Sequence, residues 1–270
     1  MRRDSNGMIC CDGYYHRDCR IMVEQELYYY KYVNSISNTY NELIAAEIAK
    51  EFGIKCADTD IGTIDSNIVI LSKDFIKDNR FIKMEDILKE VYKVEDTDLY
   101  NNIEDVVYAL NKKYGKDFKD EITKMFLFDM LIGNGDRHSQ NYGVLEKDNR
   151  VSLAPIFDNE EMLGSDFLFE NIYSFGVNRQ DYYGNLYADY GIFEKFLSTT
   201  DNYDSFLDKK KEIINKENVE KILRKVEAKL NYNKIPTRLR EKIAERFNFN
   251  YRTINRILNE KKQMKQLIKK

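Results

Sequence analysis

One segment limits the fold of this chain more than any other. KDEITKMFLFDMLI (Lys119–Ile132) is apolar enough to be a buried helix, and it runs directly into the polar string GNGDRHSQNYGVL. A helix with so little polar surface is stable only where other elements cover it. The chain must then leave that core through a loop, which here carries Asp136, Arg137, His138 and Asn141. A polar turn over Glu146–Arg150 separates two apolar pieces, Tyr142–Leu145 and Val151–Ile156, which predict a short hairpin. Asp158 ends its second strand, so a loop carboxylate, a loop amide and a second carboxylate come together across a turn.

The flanking sequence predicts the rest of the architecture. CRIMVEQELYYYKYV (Cys19–Val33) predicts two short strands around a polar turn at Glu24–Glu26. NELIAAEIAKEF (Asn41–Phe52) predicts a helix, with Gly53 at its C-cap, and two β-rich runs follow over Cys56–Thr63 and Asn67–Ser72. Met84–Tyr92 and Ile103–Tyr114 have helical spacing, and residues 159–190 read as a long loop. From about residue 192 the pattern is helical. Val219, Ile222, Leu223, Val226 and Leu230 form one apolar stripe there, and Pro236 opens the next helix. The expected fold class is therefore α+β. An N-lobe over residues 1–80 holds a small antiparallel sheet and one helix, and a larger, mainly helical C-lobe over 81–270 holds the loop and hairpin.

Composition removes several alternatives. The chain has 270 residues but only 12 Gly and 2 Pro, too few for a turn-dense all-β or collagen-like protein. Its 43 basic residues against 46 acidic ones give a formal charge of −3, not the basic field of a dedicated nucleic-acid binder. No apolar run approaches the roughly eighteen residues of a membrane span. The opening MRRDSNGMICCDGYYHRD lacks the apolar core of a signal peptide. Cys10, Cys11, Cys19 and Cys56 have neither disulfide-framework nor zinc-ligand spacing, so reduced thiols and a cytoplasmic location are expected, with secretion only by a route that needs no such peptide.

Asp136, Asn141 and Asp158 carry the chemistry. Phosphoryl transfer needs a carboxylate that orients the attacking hydroxyl, and hard oxygen ligands that hold Mg²⁺ against nucleotide phosphates. Asp136 and Asn141 have the D-x-x-x-x-N spacing of a protein-kinase catalytic loop. Mg²⁺ takes few protein ligands, which Asn141 and Asp158 can supply. A cation on the phosphates is also required. Lys31 stands inside the aromatic strand YYYKYV, where a lysine is out of character without a task. Glu42 begins the following helix, so a Lys31–Glu42 ion pair would reproduce the strand-lysine and helix-glutamate arrangement of kinases. Taken singly, Lys31 is a lysine on a solvated strand face and GDRH a helix-capping loop; the ordered combination is what points to a two-lobed, kinase-like fold.

LIGNGDRHSQNYGVL followed by LAPIFDNEEML resembles the signature of HipA-like serine/threonine kinases, and NELIAAEIAKEFGI resembles that family's glutamate-led helix. ELYYYKYV and GTIDSNIVILSKDF extend the likeness to its secreted pro-inflammatory branch. The matches run in order over residues 26 to 163. The resemblance implies Asp136 as catalytic base, with His138 in the catalytic loop as the histidine that braces it. It implies Asn141 and Asp158 as Mg²⁺ ligands, Lys31 as the contact to the ATP phosphates, and Glu42 as the partner of Lys31. ATP and Mg²⁺ are the implied cofactors. The implied partners are a protein substrate and a separately encoded antitoxin, with neither a membrane nor nucleic acid expected. Two departures stand out: the first thirty residues offer Gly7 and Gly13 but no G-x-G-x-x-G for the phosphates, and Asn159 follows the metal-binding aspartate where many kinases have glycine.

Other readings rest on narrower features. A D-R-H version of the loop also occurs in phosphoinositide-kinase-type catalytic loops, which suggests a small-molecule or lipid kinase on the same scaffold. The missing glycine loop suits a catalytically impaired pseudokinase. LREKIAERFNFNYRTINRIL (Leu239–Leu258) has a helix–turn–helix outline with Arg252, Thr253 and Asn255, although Ile243, Phe247, Ile254, Ile257 and Leu258 fit the core face of two final helices better. Thr63, Ser165 and Ser174 read as ordinary hydroxyls, and the tyrosines of residues 173–190 as packing.

Overall fold

Apolar residues at every second position around the turn at Glu24 pair two strands, and the computed structural model extends that pair into a sheet. It describes residues 8–11, 16–17, 19–33, 36–97, 100, 103–134, 137–160, 162, 216–230, 235–245 and 247–248, and the single positions 252, 259, 263 and 267. The sheet contains β1 (Ile9–Cys10), β2 (His16–Arg17), β3 (Arg20–Val23), β4 (Glu26–Tyr32), β5 (Thr59–Ile64) and β6 (Asn67–Lys73), in the order β1-β5-β6-β4-β3-β2. Its pairs are antiparallel except β1 with β5, so the wholly antiparallel sheet expected from the sequence is corrected by one parallel edge. A two-residue strand carries no periodic signal, and its partner lies 53 positions away in the register Ile9↔Gly62. Gly62 permits that approach: a Cβ there would stand 2.9 Å from Ile9 O and 2.8 Å from Leu71 Cδ1.

One face of the sheet buries Ile21, Val23, Val69 and Leu71 in a small core of their own. The helix α1 (Ile36–Phe52) belongs to the main core. It starts five residues before the expected Asn41, because Thr39 and Tyr40 are buried and tertiary contact overrides the weak helix propensity of SISNT. Leu43, Ile44, Ala45, Ala46 and Ala49 have no exposed surface, so α1 is covered on all sides before its last turn. Gly53 ends it at φ 67°, as expected of a C-cap.

A second sheet of three strands follows: β7 (Arg80–Lys83), β8 (Gly143–Lys147) and β9 (Arg150–Leu153), in the order β7-β8-β9. The hairpin β8–β9 is the expected one, but β7 was not legible because its four residues pair with a strand sixty positions later. Gly143 makes that pairing feasible, since a Cβ would lie 2.1 Å from Ile82 O. The helices α2 (Met84–Tyr92), α3 (Ile103–Tyr114) and α4 (Lys119–Ile132) have the expected bounds, and Phe126, Leu127, Phe128 and Ile132 on α4 are fully buried.

After β9 the chain crosses back to the first sheet's side. Ile156 N donates to Lys55 O and Ala57 N to Ile156 O, each at 2.8 Å. That parallel bridge carries Asp158 toward α1 and β4. The next described helix, α5 (Lys216–Lys229), buries the expected stripe and pairs Lys229 with Glu47 at 3.0 Å on α1. Residues 237–245 are helical after Pro236, with Leu239, Ile243 and Phe247 buried. Ile254, Ile257, Leu258, Thr253 and Asn255 lie outside the described residues, as do Ser165, Ser174 and the tyrosines of residues 173–190. No helix among the described residues is long and apolar enough to cross a membrane.

Candidate active site

The buried end of α4 determines where the catalytic loop can lie. Asp129 is fully buried near the end of this apolar helix, so its charge needs a partner inside the core. Arg137, also fully buried, supplies it: Nε donates to Asp129 Oδ2 and Nη2 to Asp129 Oδ1, both at 2.9 Å. The remaining donors of the same guanidinium fasten the loop and the hairpin's end together. Nη1 donates to Asn141 O at 3.1 Å and to Phe157 O at 2.6 Å, and Nη2 to Asn159 Oδ1 at 2.7 Å. Sequence alone left Arg137 without a firm role, and Asp129 unremarked. A lone acid in an apolar helix was the signal that could have found the pair.

This knot ties the main chain at Asn141 and at Phe157, the residue before Asp158, to one guanidinium nitrogen. Asn141 is buried within the loop, its N–H donating to His138 O at 2.9 Å, while Asp158 follows directly on the carbonyl that Arg137 grips. Asp158 sits at φ 58°, a left-handed conformation rare outside glycine and tolerated by Asp, consistent with a position held by its surroundings. His138 Nδ1 accepts a hydrogen bond from Gln140 N at 3.3 Å. Asp136 lies outside the described residues.

Lys31 and Glu42 also reach this region, but they do not form the expected pair. Lys31 Nζ on β4 donates to Asp158 Oδ1 at 2.9 Å and to Glu160 Oε1 at 2.6 Å. Burial alone would lower the lysine's pKa, but the Glu160 and Asp158 carboxylates outweigh it and the net shift is upward. Glu42 turns instead to Asn159, accepting from its main-chain N–H with Oε2 and from Nδ2 with Oε1 at 3.4 Å. The cause is steric order along α1, which points Glu42 into the core, whereas Lys31 is half-exposed at 51%. Burial, reinforced by the charge of Asp158, pushes the Glu42 carboxyl up to about 7. Asn159 thus fills a structural place between Glu42 and Arg137, and Glu160 is a site residue that sequence reasoning missed.

Three of these residues border a cavity of about 260 Å³. Its walls come from Tyr29 and Tyr30 on β4, Ile70 and Ser72 on β6, and three phenylalanines; Lys31, Glu42 and Asp158 are its charged members. Phe75, Phe81 and Phe157 touch one another with ring centroids 5.6 to 6.2 Å apart. Such aromatic walls suit a planar aromatic group. Asn141 and Asp158 offer hard oxygen donors of the kind Mg²⁺ takes, one amide and one carboxylate, so the donor set fits that ion.

Comparison with known proteins gives the family and the fold. Residues 23–233 match the model of the HipA-like C-terminal domain. The serine/threonine-protein kinase CtkA of Helicobacter pylori strain J99 is 30% identical over 135 residues, which cover 48% of this chain and 42% of that protein's length. The crystal structure of the Helicobacter pylori proinflammatory kinase CtkA superposes with a TM-score of 0.67 at 22% identity, over 96% of this chain and 99% of that one. HipA of Shewanella oneidensis MR-1, in a complex with HipB and operator DNA, gives a TM-score of 0.48 at 15% identity, over 91% of this chain and 58% of that one. The α+β fold is therefore shared with CtkA, and a family match that spans well over half of the chain places this protein in the HipA-like C-terminal domain family.

Proposed function

We propose that the chain is a kinase that transfers the γ-phosphoryl group of ATP to a Ser or Thr hydroxyl of a protein. One observation carries the reading: Lys31 and Asp158, 127 positions apart in the sequence, meet at 2.9 Å on the wall of a single aromatic cavity. The naming of a relative as a serine/threonine-protein kinase supports the choice of acceptor. In this reading residues 1–80 are the N-lobe, residues 81–270 the C-lobe, and the cavity is the cleft between them.

Each residue then has a defined task. The three phenylalanines and Tyr30 receive the adenine. Lys31 offsets negative charge on the phosphates, and Asn141 and Asp158 hold Mg²⁺, which when bound neutralises charge on the phosphate oxygens. Asp136 orients the acceptor hydroxyl and receives its proton. Arg137 fixes Asn141 and Asp158 relative to each other, so the metal ligands need little reorganisation.

The test is phosphate transfer from labelled ATP, with Mg²⁺ present, to the chain itself or to a generic protein acceptor. Asp136→Ala and Asp158→Ala should each remove about 10²-fold or more of the rate, the usual loss for a group that stabilises transition-state charge, with thermal unfolding unchanged. Wild-type rates in both variants would overturn the assignment.

A further inference from the structure

A lysine that receives phosphates needs an anionic neighbour to fix the direction of its flexible stem. Glu42 has the sequence position for that task, but both of its oxygens are taken by Asn159. Glu160 is the nearer partner, at 2.6 Å from Lys31 Nζ, against 2.9 Å for Asp158. Its side chain is only 16% exposed, so the carboxylate half of the pair is largely shielded from water while the ammonium is not.

The main chain that presents Glu160 is held from both directions. Asn41 Nδ2 donates to Glu160 O at 2.9 Å and to Met162 O at 2.8 Å. The preceding residue, Asn159, is gripped by Glu42 and by Arg137. Neighbouring residues of α1 therefore divide the work, Glu42 anchoring position 159 and Asn41 anchoring position 160. In the proposed kinase Asp158 serves the metal, which leaves Glu160 as the carboxylate available to Lys31.

We infer that Glu160, presented by Asn41, is the residue that orients Lys31 toward the nucleotide phosphates, in place of the helix glutamate Glu42. This inference rests on the kinase reading above. Glu160 acts through Lys31 and is a positioning residue.

Two measurements on the full chain test it. The first needs no catalysis: competitive acetylation of lysines near pH 9 without nucleotide, read peptide by peptide. Glu160→Gln should accelerate labelling of Lys31 several-fold, while Glu42→Gln leaves the Lys31 rate at the wild-type value. The second is steady-state kinetics. Glu160→Gln should raise KM for ATP by about fivefold to tenfold, the size of one lost charge-assisted hydrogen bond, with a smaller change in kcat. Glu160→Asp, which keeps the charge, should recover part of the loss. A lower KM in Glu160→Gln would overturn the inference, because Glu160 would then compete with the phosphates for Lys31. Equal Lys31 labelling in wild type and Glu160→Gln would overturn it as well. Absence of phosphoryl transfer from the wild type, with the labelling difference present, would sink the kinase reading and leave the ion pair standing.

Discussion

Two cations grip the segment Phe157–Glu160, and they do so by opposite physics. Arg137 takes Phe157 O and Asn159 Oδ1; Lys31 takes the carboxylates of Asp158 and Glu160. The guanidinium has no exposed surface and is neutralised by Asp129, whereas the ammonium is half in water. A buried charge that loses its partner is left uncompensated in a poorly polarisable interior, so Arg137 cannot be exchanged. A half-exposed ammonium can trade a carboxylate for another anion at small cost. The comparison separates the part of the site that makes its geometry from the part that can receive a ligand.

Arg137→Ala is the most damaging way to probe that difference. It strands Asp129 in the core and should lower unfolding free energy by about 3–5 kcal/mol, read from denaturant midpoints. Arg137→Lys should restore little of this, because one ammonium cannot span a carboxylate, two carbonyls and an amide. An unchanged midpoint in either variant would remove the distinction between the two cations. Asn159→Gly should cost less, about 1–3 kcal/mol, since it leaves buried groups of Arg137 and Glu42 short of a partner.

Glu42 offers a pH-dependent test from within the same cluster. Its carboxyl is raised from 4.5 to about 7, so the folded state holds the proton more firmly than the unfolded one. Glu42 therefore favours folding fully below about pH 4.5, and that contribution is lost as pH rises through about 7. Glu42→Gln should flatten this part of the stability–pH curve, by on the order of 1 kcal/mol or more across the window. A parallel curve for wild type and variant would break the assignment. The smallest effect belongs to Lys31→Ala, which should change stability by less than about 1 kcal/mol while weakening nucleotide binding at least tenfold. A large stability loss there would make Lys31 a structural residue like Arg137 and erase the comparison.

Much of the fold was legible because its signals are local. The three helices from Met84 to Ile132 keep their expected bounds, since periodicity and neighbouring breakers lie within one window. The hairpin β8–β9 was likewise set by its own turn at Asp148 and Asn149, both at positive φ. The strands β1 and β7 were hidden because two to four residues carry no period and their partners are remote. Scarce glycine, read at first as a bar to turn-rich folds, is used for close approach at Gly62 and Gly143.

The candidate site divides along the same line. The types and order of Lys31, Glu42, His138, Asn141 and Asp158 were readable because residue type and loop spacing are local properties of the chain. Pairing was not readable, since ion pairs depend on which side chains burial turns inward. Sequence paired Lys31 with Glu42; tertiary structure gave Lys31 to Asp158 and Glu160, and Glu42 to Asn159. By itself, then, the sequence determined the elements with local signals, their order and the chemical groups available. Only the tertiary structure decided which charges face each other, because Coulomb energy is set by distance and desolvation in three dimensions, not by separation along the chain.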